Sequence, residues 1–321
     1  MVTRGPDPTI WSGRIDGDAP EHARWHQVIQ VHDGAAEPST RSAGGVAFVG
    51  FASDEGVRRN GGRPGAALGP DVLRRALAPL AVHARAELHD LGTVVVDDEN
   101  LEEGQRALGA TIASALDRHD LVVALGGGHE TAYGSYLGWS AAQRSAGRRV
   151  GILNLDAHFD LRNAPRATSG TPFLQVARDE AAAGRDIRYA VVGISEASNT
   201  LALFDTAAEL GVPYLLDRDA QPGHLEAVTA FVRSFLAEVD VVHLTIDLDV
   251  LPAGVAPGVS APAGYGVPLE TIVHVCRQVA LSGRLALVDV VELCPPLDID
   301  GRTARTAARL VHEIVGCLDR A

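Results

Sequence analysis

The chain has only three cysteines, Cys276, Cys294 and Cys317. They are too few and too scattered for a disulfide framework or a thiolate metal site, and read as buried free thiols of a reducing compartment. Basic stripes are also missing. With 28 Lys+Arg against 41 Asp+Glu, the formal net charge is -13. That excludes a general nucleic-acid or anionic-membrane surface, since both select for clustered cations. No stretch is continuously apolar over the roughly 20 residues a membrane span needs, and the first residues, MVTRGPDPTIWSGRIDG, lack the apolar core of a signal peptide. The expectation is a cytoplasmic protein that acts on a small molecule.

What is abundant is alternation. After a polar lead over residues 1–44, short apolar runs alternate with longer stretches of helical period. Strand candidates start at Gly45, Ala86, Asp120, Arg149, Ile187, Val212, Val239 and Arg284, and helix candidates at Leu101, His224, Leu269 and Ala304. Parallel strands need long crossovers, and those crossovers cover the sheet. The pattern therefore predicts an α/β fold around a mainly parallel eight-stranded sheet. No linker breaks the rhythm, so residues 45–321 are expected to form a single catalytic domain behind the lead. A closed barrel would show the same alternation, and in either case ligands should gather at the carboxyl ends of the strands.

Three motifs fall at such ends. Asp156-Ala157-His158-Phe159-Asp160 directly follows the apolar run Gly151 to Leu155. In extended geometry every second side chain points the same way, so Asp156, His158 and Asp160 would project together. Asp247 and Asp249 repeat this spacing after Val241 to Ile246. Two carboxylates in such a place should not both stay charged without a cation. The third motif, Gly126-Gly127-Gly128-His129-Glu130, follows Leu121 to Leu125. Its glycines allow a tight turn that delivers His129. It lacks the lysine of a P-loop and the spacing of a dinucleotide fingerprint, which argues against a phosphate cradle.

Singly, each motif reads equally well as helix caps or a packed histidine. Together, His129, Asp156, His158, Asp160, Asp247 and Asp249 exceed what a tetrahedral structural zinc requires, and their carboxylate share favours a harder ion. Two bridged ions fit the number of donors. Manganese is the first choice, with zinc, nickel or iron also compatible with the donor types.

These residues, in this order, resemble the ureohydrolase family of arginase, agmatinase and formimidoylglutamase, from about Gly45 to the C-terminus. The resemblance implies a three-layer α/β/α sandwich around an eight-stranded sheet, two manganese ions per subunit and homo-oligomerisation. It also implies hydrolysis of guanidine or amidine carbon-nitrogen bonds. Carried over by motif, His129, Asp156, Asp160 and Asp247 would hold one ion, and Asp156, His158, Asp247 and Asp249 the other. Glu292, after Val290-Val291, matches the acidic residue that contacts the cationic nitrogen group of the substrate.

Variant spellings resemble the formimidoylglutamase branch: GGGHE in place of GGDHS, DAHFDLR followed by Ser169-Gly170-Thr171-Pro172-Phe173, the segment Asp54 to Gly65, and Ala256 to Pro262. Ser169 stands where arginases and agmatinases carry a histidine, and Val250-Leu251-Pro252 replaces the usual Asp-Pro. Arg162, two residues beyond Asp160, is expected to grip a substrate carboxylate bidentately, with Ser169 and Thr171 as further substrate contacts. The expected reaction is hydrolysis of N-formimidoyl-L-glutamate to L-glutamate and formamide, in histidine degradation, with Asp160 carrying the proton. The alternatives are an agmatinase or guanidino-acid hydrolase that releases urea, and a metal-stabilised binding protein with a dead site.

Overall fold

The computed structural model describes residues 2–5, 7–32 and 45–318. Its eight expected strands form, in chain order after two short ones from the lead. The lead supplies β1 (Val2–Arg4) and β2 (Gln30–Val31). The expected strands are β3 (Val46–Ala52), β4 (Leu88–Val95), β5 (Leu121–Leu125), β6 (Val150–Leu155), β7 (Tyr189–Ile194), β8 (Tyr214–Leu216), β9 (Val241–Asp247) and β10 (Leu285–Val291). The sheet runs β1-β4-β3-β5-β10-β9-β6-β7-β8, with β2 also on β4. All neighbours are parallel except β1 on β4. The edges stay open, so this is a sandwich and not a barrel. The expected eight strands become ten because the lead contributes two, which together cover the free edge of β4.

Burial on both faces explains the unbroken apolar runs. In β3, Val46 and Phe48 pack into one core cluster with the helices Gly69–Leu77, Leu225–Glu238, Leu269–Ala280 and Arg302–Leu318. The alternate residues Ala47, Val49 and Phe51 enter the other cluster, with Leu101–Leu116, Thr131–Ala141, Pro172–Ala182 and Leu201–Glu209. A strand sandwiched in this way has no polar side to alternate. The lead caps this assembly. Trp25 is buried edge-on to Phe48 with ring centroids 5.7 Å apart, and Trp11 Nε1 donates to Asp90 Oδ2 at 2.7 Å. The three cysteines are buried, and none forms a disulfide among the described residues. Among the described residues, no helix is long and apolar enough to cross a membrane.

Candidate metal centre

Four strands that are neighbours in the sheet, β5, β10, β9 and β6, all end at the same place. His129 follows β5, Glu292 follows β10, Asp247 and Asp249 sit at and just beyond the end of β9, and Asp156, His158 and Asp160 follow β6. Residues more than 150 positions apart thus converge through topology alone. Every one of them is buried except His158, which is partly exposed.

The donors form two groups that share Asp156. His129, Asp156, Asp160 and Asp247 can each offer one atom within 4.8 Å of the others, and so can Asp156, His158 and Asp249. His129 Nδ1 lies 3.1 Å from one oxygen each of Asp156, Asp160 and Asp247, yet it makes a well-aligned hydrogen bond to none of them. His158 Nδ1 lies 3.1 Å from Asp249 Oδ2 and 3.5 Å from Asp156 Oδ1. Asp247 falls only in the first tight group. Its Oδ1 accepts the Asp249 backbone N–H at 2.8 Å and so caps the turn that carries Asp249.

Electrostatics point the same way. Burial, followed by the neighbouring Asp249 and Asp156 carboxylates, pushes Asp247 well above the usual carboxylate range. Asp249 is also raised, first by burial. Carboxylates packed this closely in a dry strand-end site need positive charge between them, and an imidazole nitrogen with no partner faces the same point. The residues therefore fit a pair of divalent cations held by carboxylates and imidazoles.

Supporting contacts fix the donors. Thr245 Oγ1 lies 3.0 Å from His129 Nε2 and so sets the ring's orientation. Asn154 Nδ2 donates to Asp156 Oδ2 at 2.9 Å, and the Asp156 Oδ1 accepts the His158 N–H at 2.6 Å. Asp160 and Glu292 have φ of 49° and 66°. A non-glycine residue there costs about 1–3 kcal/mol and persists where surrounding structure over-determines it, commonly at functional sites. Glu292 Oε1 accepts the backbone N–H of His129 at 2.8 Å. Burial first, then the nearby Glu130, push the Glu292 carboxyl up to about 8, and burial lifts Glu130 to about 7.

Above these donors lies a cavity of about 110 Å³. His158, Asp160, Asp247, Asp249 and Glu292 line it, together with Arg162 and Ser169 from the loop after β6. Arg162 Nη1 pairs with Asp160 Oδ1 at 3.1 Å while a third of its side chain stays exposed. Thr171 does not line the cavity. It is buried beneath Ser169, accepting from Thr168 N at 3.0 Å and donating to Thr168 O at 3.1 Å, and so holds the turn that presents Ser169. Two walls carry no charge and no reactive group: Val57, Asn60 and Gly62 on one, Ser260 and Ala261 on the other. Their only sequence signal was the family-like spelling of the two segments. Arg63 ties the walls together, its N–H donating to Ser260 Oγ at 2.8 Å and its Nε to Ser260 O at 2.9 Å.

Known proteins share this chain's sequence and fold. The Arginase family model matches residues 44–317. A curated formimidoylglutamase from Nocardia farcinica is 60% identical over 306 residues, covering 95% of each chain. One from Rhodococcus jostii is 57% identical over 310 residues, covering 96% of this chain and 95% of its own. Among solved structures, formimidoylglutamase from Bacillus subtilis superposes with a TM-score of 0.79 at 21% identity, covering 92% of this chain and 91% of its own. A Trypanosoma cruzi formiminoglutamase crystallised with Mn2+ gives 0.74 at 24% identity, covering 84% and 92%. With the model spanning most of its length and relatives above half identity, the chain belongs to the arginase family.

Proposed function

We propose that this enzyme is a metal-dependent hydrolase that converts N-formimidoyl-L-glutamate and water to L-glutamate and formamide, the step known from histidine degradation. The observation that carries the reading is a cavity floored by buried carboxylates and imidazoles with one guanidinium, Arg162, on its wall. The substrate follows from full-length likeness to curated formimidoylglutamases. Manganese is the proposed ion, supported by the oxygen-rich donor set and by the Mn2+ in the Trypanosoma cruzi relative. His129, Asp156, Asp160 and Asp247 would hold one ion. Asp156, His158 and Asp249 would hold the other, with Asp247 reaching it as a bridge.

Bound there, the pair of ions supplies water already activated for attack at neutral pH. The chain's own residues then place and deprotonate. Arg162 receives a glutamate carboxylate in a forked contact, with Ser169 as a neutral hydrogen-bonding partner where a cationic histidine would compete. Glu292 accepts from the amidine N–H groups and so holds the formimidoyl carbon over the floor. Asp160, on that floor and in the cavity wall, accepts the water proton and delivers it to the glutamate nitrogen. The bond between that nitrogen and the formimidoyl carbon breaks, releasing an amine and formamide.

The test is hydrolysis of N-formimidoyl-L-glutamate, arginine, agmatine and guanidino acids by manganese-loaded protein, with formamide and urea quantified separately. Formamide from the glutamate derivative alone is expected. Urea from a guanidine would keep the metal chemistry and overturn the substrate.

A further inference from the structure

Glu130 follows His129, a proposed metal ligand, in the GGGHE turn and has no part in the proposed reaction. It is fully buried at the start of the helix Thr131–Ala141, its backbone oxygen held by Gln105 Nε2 at 2.9 Å. Its side chain turns away from the donors, towards the segment after β3. There Oε1 accepts from Gly56 N at 2.9 Å and from Ser53 Oγ at 3.0 Å. That segment continues as the helix Glu55–Arg59 and supplies Val57, Asn60 and Gly62 to the cavity.

The backbones around this contact are cut to fit it. A Cβ on Gly56 would lie 2.5 Å from the Glu130 carboxyl, and one on Gly128 would collide with Oε2. A Cβ on Gly127 would collide with the Ser53 carbonyl, which accepts the Gly128 N–H at 3.0 Å. Three glycines thus let the metal-binding turn and the cavity wall interlock, with Glu130 as the fastener. As a stability device the acid is a poor choice. Its Oε2 is buried with no hydrogen-bond partner among the described residues, and such a group costs free energy. What it delivers is placement.

We infer that Glu130 is a positioning residue that fixes the Val57–Gly62 wall of the substrate cavity relative to the His129 turn, and thereby sets affinity for the formimidoyl substrate. The inference rests on the proposed reaction and deepens it. It implies that substrate recognition depends on a residue that touches neither substrate nor metal, because a displacement near 1 Å at a binding wall is enough to weaken a small ligand.

The experiment compares manganese-loaded wild type with Glu130→Gln, Glu130→Ala and Ser53→Ala, reading KM, kcat, bound metal and amide hydrogen exchange over residues 53–60. Glu130→Gln keeps an acceptor oxygen and should retain KM within about 3-fold. Glu130→Ala should raise KM by about 10-fold or more with a smaller change in kcat, undiminished metal, and faster exchange over residues 53–60. Ser53→Ala, which removes one of the two donors to Glu130 and keeps the Ser53 carbonyl that holds Gly128, should raise KM by a lesser amount. It keeps the test open if Glu130→Ala does not fold. An unchanged KM and unchanged exchange in Glu130→Ala, or in Ser53→Ala when Glu130→Ala does not fold, would overturn the inference. So would a lost metal ion with the wall's exchange unaltered, since Glu130 would then act on the donors alone. Wild type inactive on formimidoylglutamate would instead refute the proposed function.

Discussion

Charge is buried at the edge of this sheet and at its centre, and the two sites handle it in opposite ways. At the edge, Asp90 on β4 is fully buried and its charge is answered within the chain. Arg74 Nε and Nη2 each donate to it at 2.8 Å, Trp11 Nε1 at 2.7 Å and Gly92 N at 3.1 Å. The remaining Arg74 donors reach Thr93 Oγ1 at 2.9 Å and Gly92 O at 2.8 Å. Every group in this cluster has a partner, and nothing is left to bind a ligand. At the centre, the donors after β5, β6 and β9 face one another with an excess of carboxylates and an unpartnered imidazole nitrogen. The difference separates structural from functional burial of charge: the first closes within the protein, the second is closed only by something bound.

The largest expected effect comes from breaking the open cluster. Asp156→Asn removes the carboxylate shared by both donor groups, and kcat should fall on the order of 1,000-fold or more, because the ions contribute several kcal/mol at the transition state. The metal-free variant should still fold, since losing the Asp156 charge relieves the Asp247 and Asp249 carboxylates that it helps to raise; loss of the fold would mean the cluster is structural after all.

Arg74→Ala does the reverse at the edge. It leaves Asp90 buried and unpaired, so urea denaturation should show a loss of about 3–5 kcal/mol, while kcat of the folded fraction stays unchanged. An altered kcat would blur the distinction.

A finer test touches the support of a donor. Thr245→Val keeps the shape but deletes the hydroxyl against His129 Nε2, and manganese affinity should fall about 10- to 100-fold. Equal affinity, read by equilibrium dialysis, would mean that packing alone orients the imidazole.

The smallest effect is in pH. His119 is buried near His89, with ring centroids 4.8 Å apart. Burial first, then His89 and Arg118, push its pKa down to about 4. The unfolded chain, with histidine near 6.5, therefore binds more protons between about pH 6.5 and 4. Stability should fall as pH drops through that window and be fully present above it. The denaturation midpoint at pH 5 should lie below that at pH 7, and His119→Gln should shrink the gap.

Much of the central cluster was legible because its signals are local. Asp156, His158 and Asp160 share a strand-end spacing of two, as do Asp247 and Asp249, and the apolar runs that precede them became β6 and β9. The expected strands formed because sheets covered on both faces leave no polar alternation to confuse the reading. The edge cluster was not legible. Arg74 and Asp90 are ordinary surface residue types, and their burial rests on contacts distant in sequence, among them Trp11 of the lead on Asp90. Nor did sequence expose the neutral walls at Val57 and Ser260, which meet across about 200 residues of chain through Arg63. Thr245 looked like any β-branched strand residue until β9 was set beside β10 and the turn after β5 brought His129 against it.

The most direct test of the central claim is metal stoichiometry. The protein, stripped by chelation, would be dialysed against Mn2+ and the bound ion measured by mass spectrometry for wild type and Asp156→Asn. Two ions per chain in wild type, and loss of binding in the variant, is the expected result. Fewer than one ion per folded wild-type chain would contradict the claim that the open carboxylate cluster is completed by bound cations.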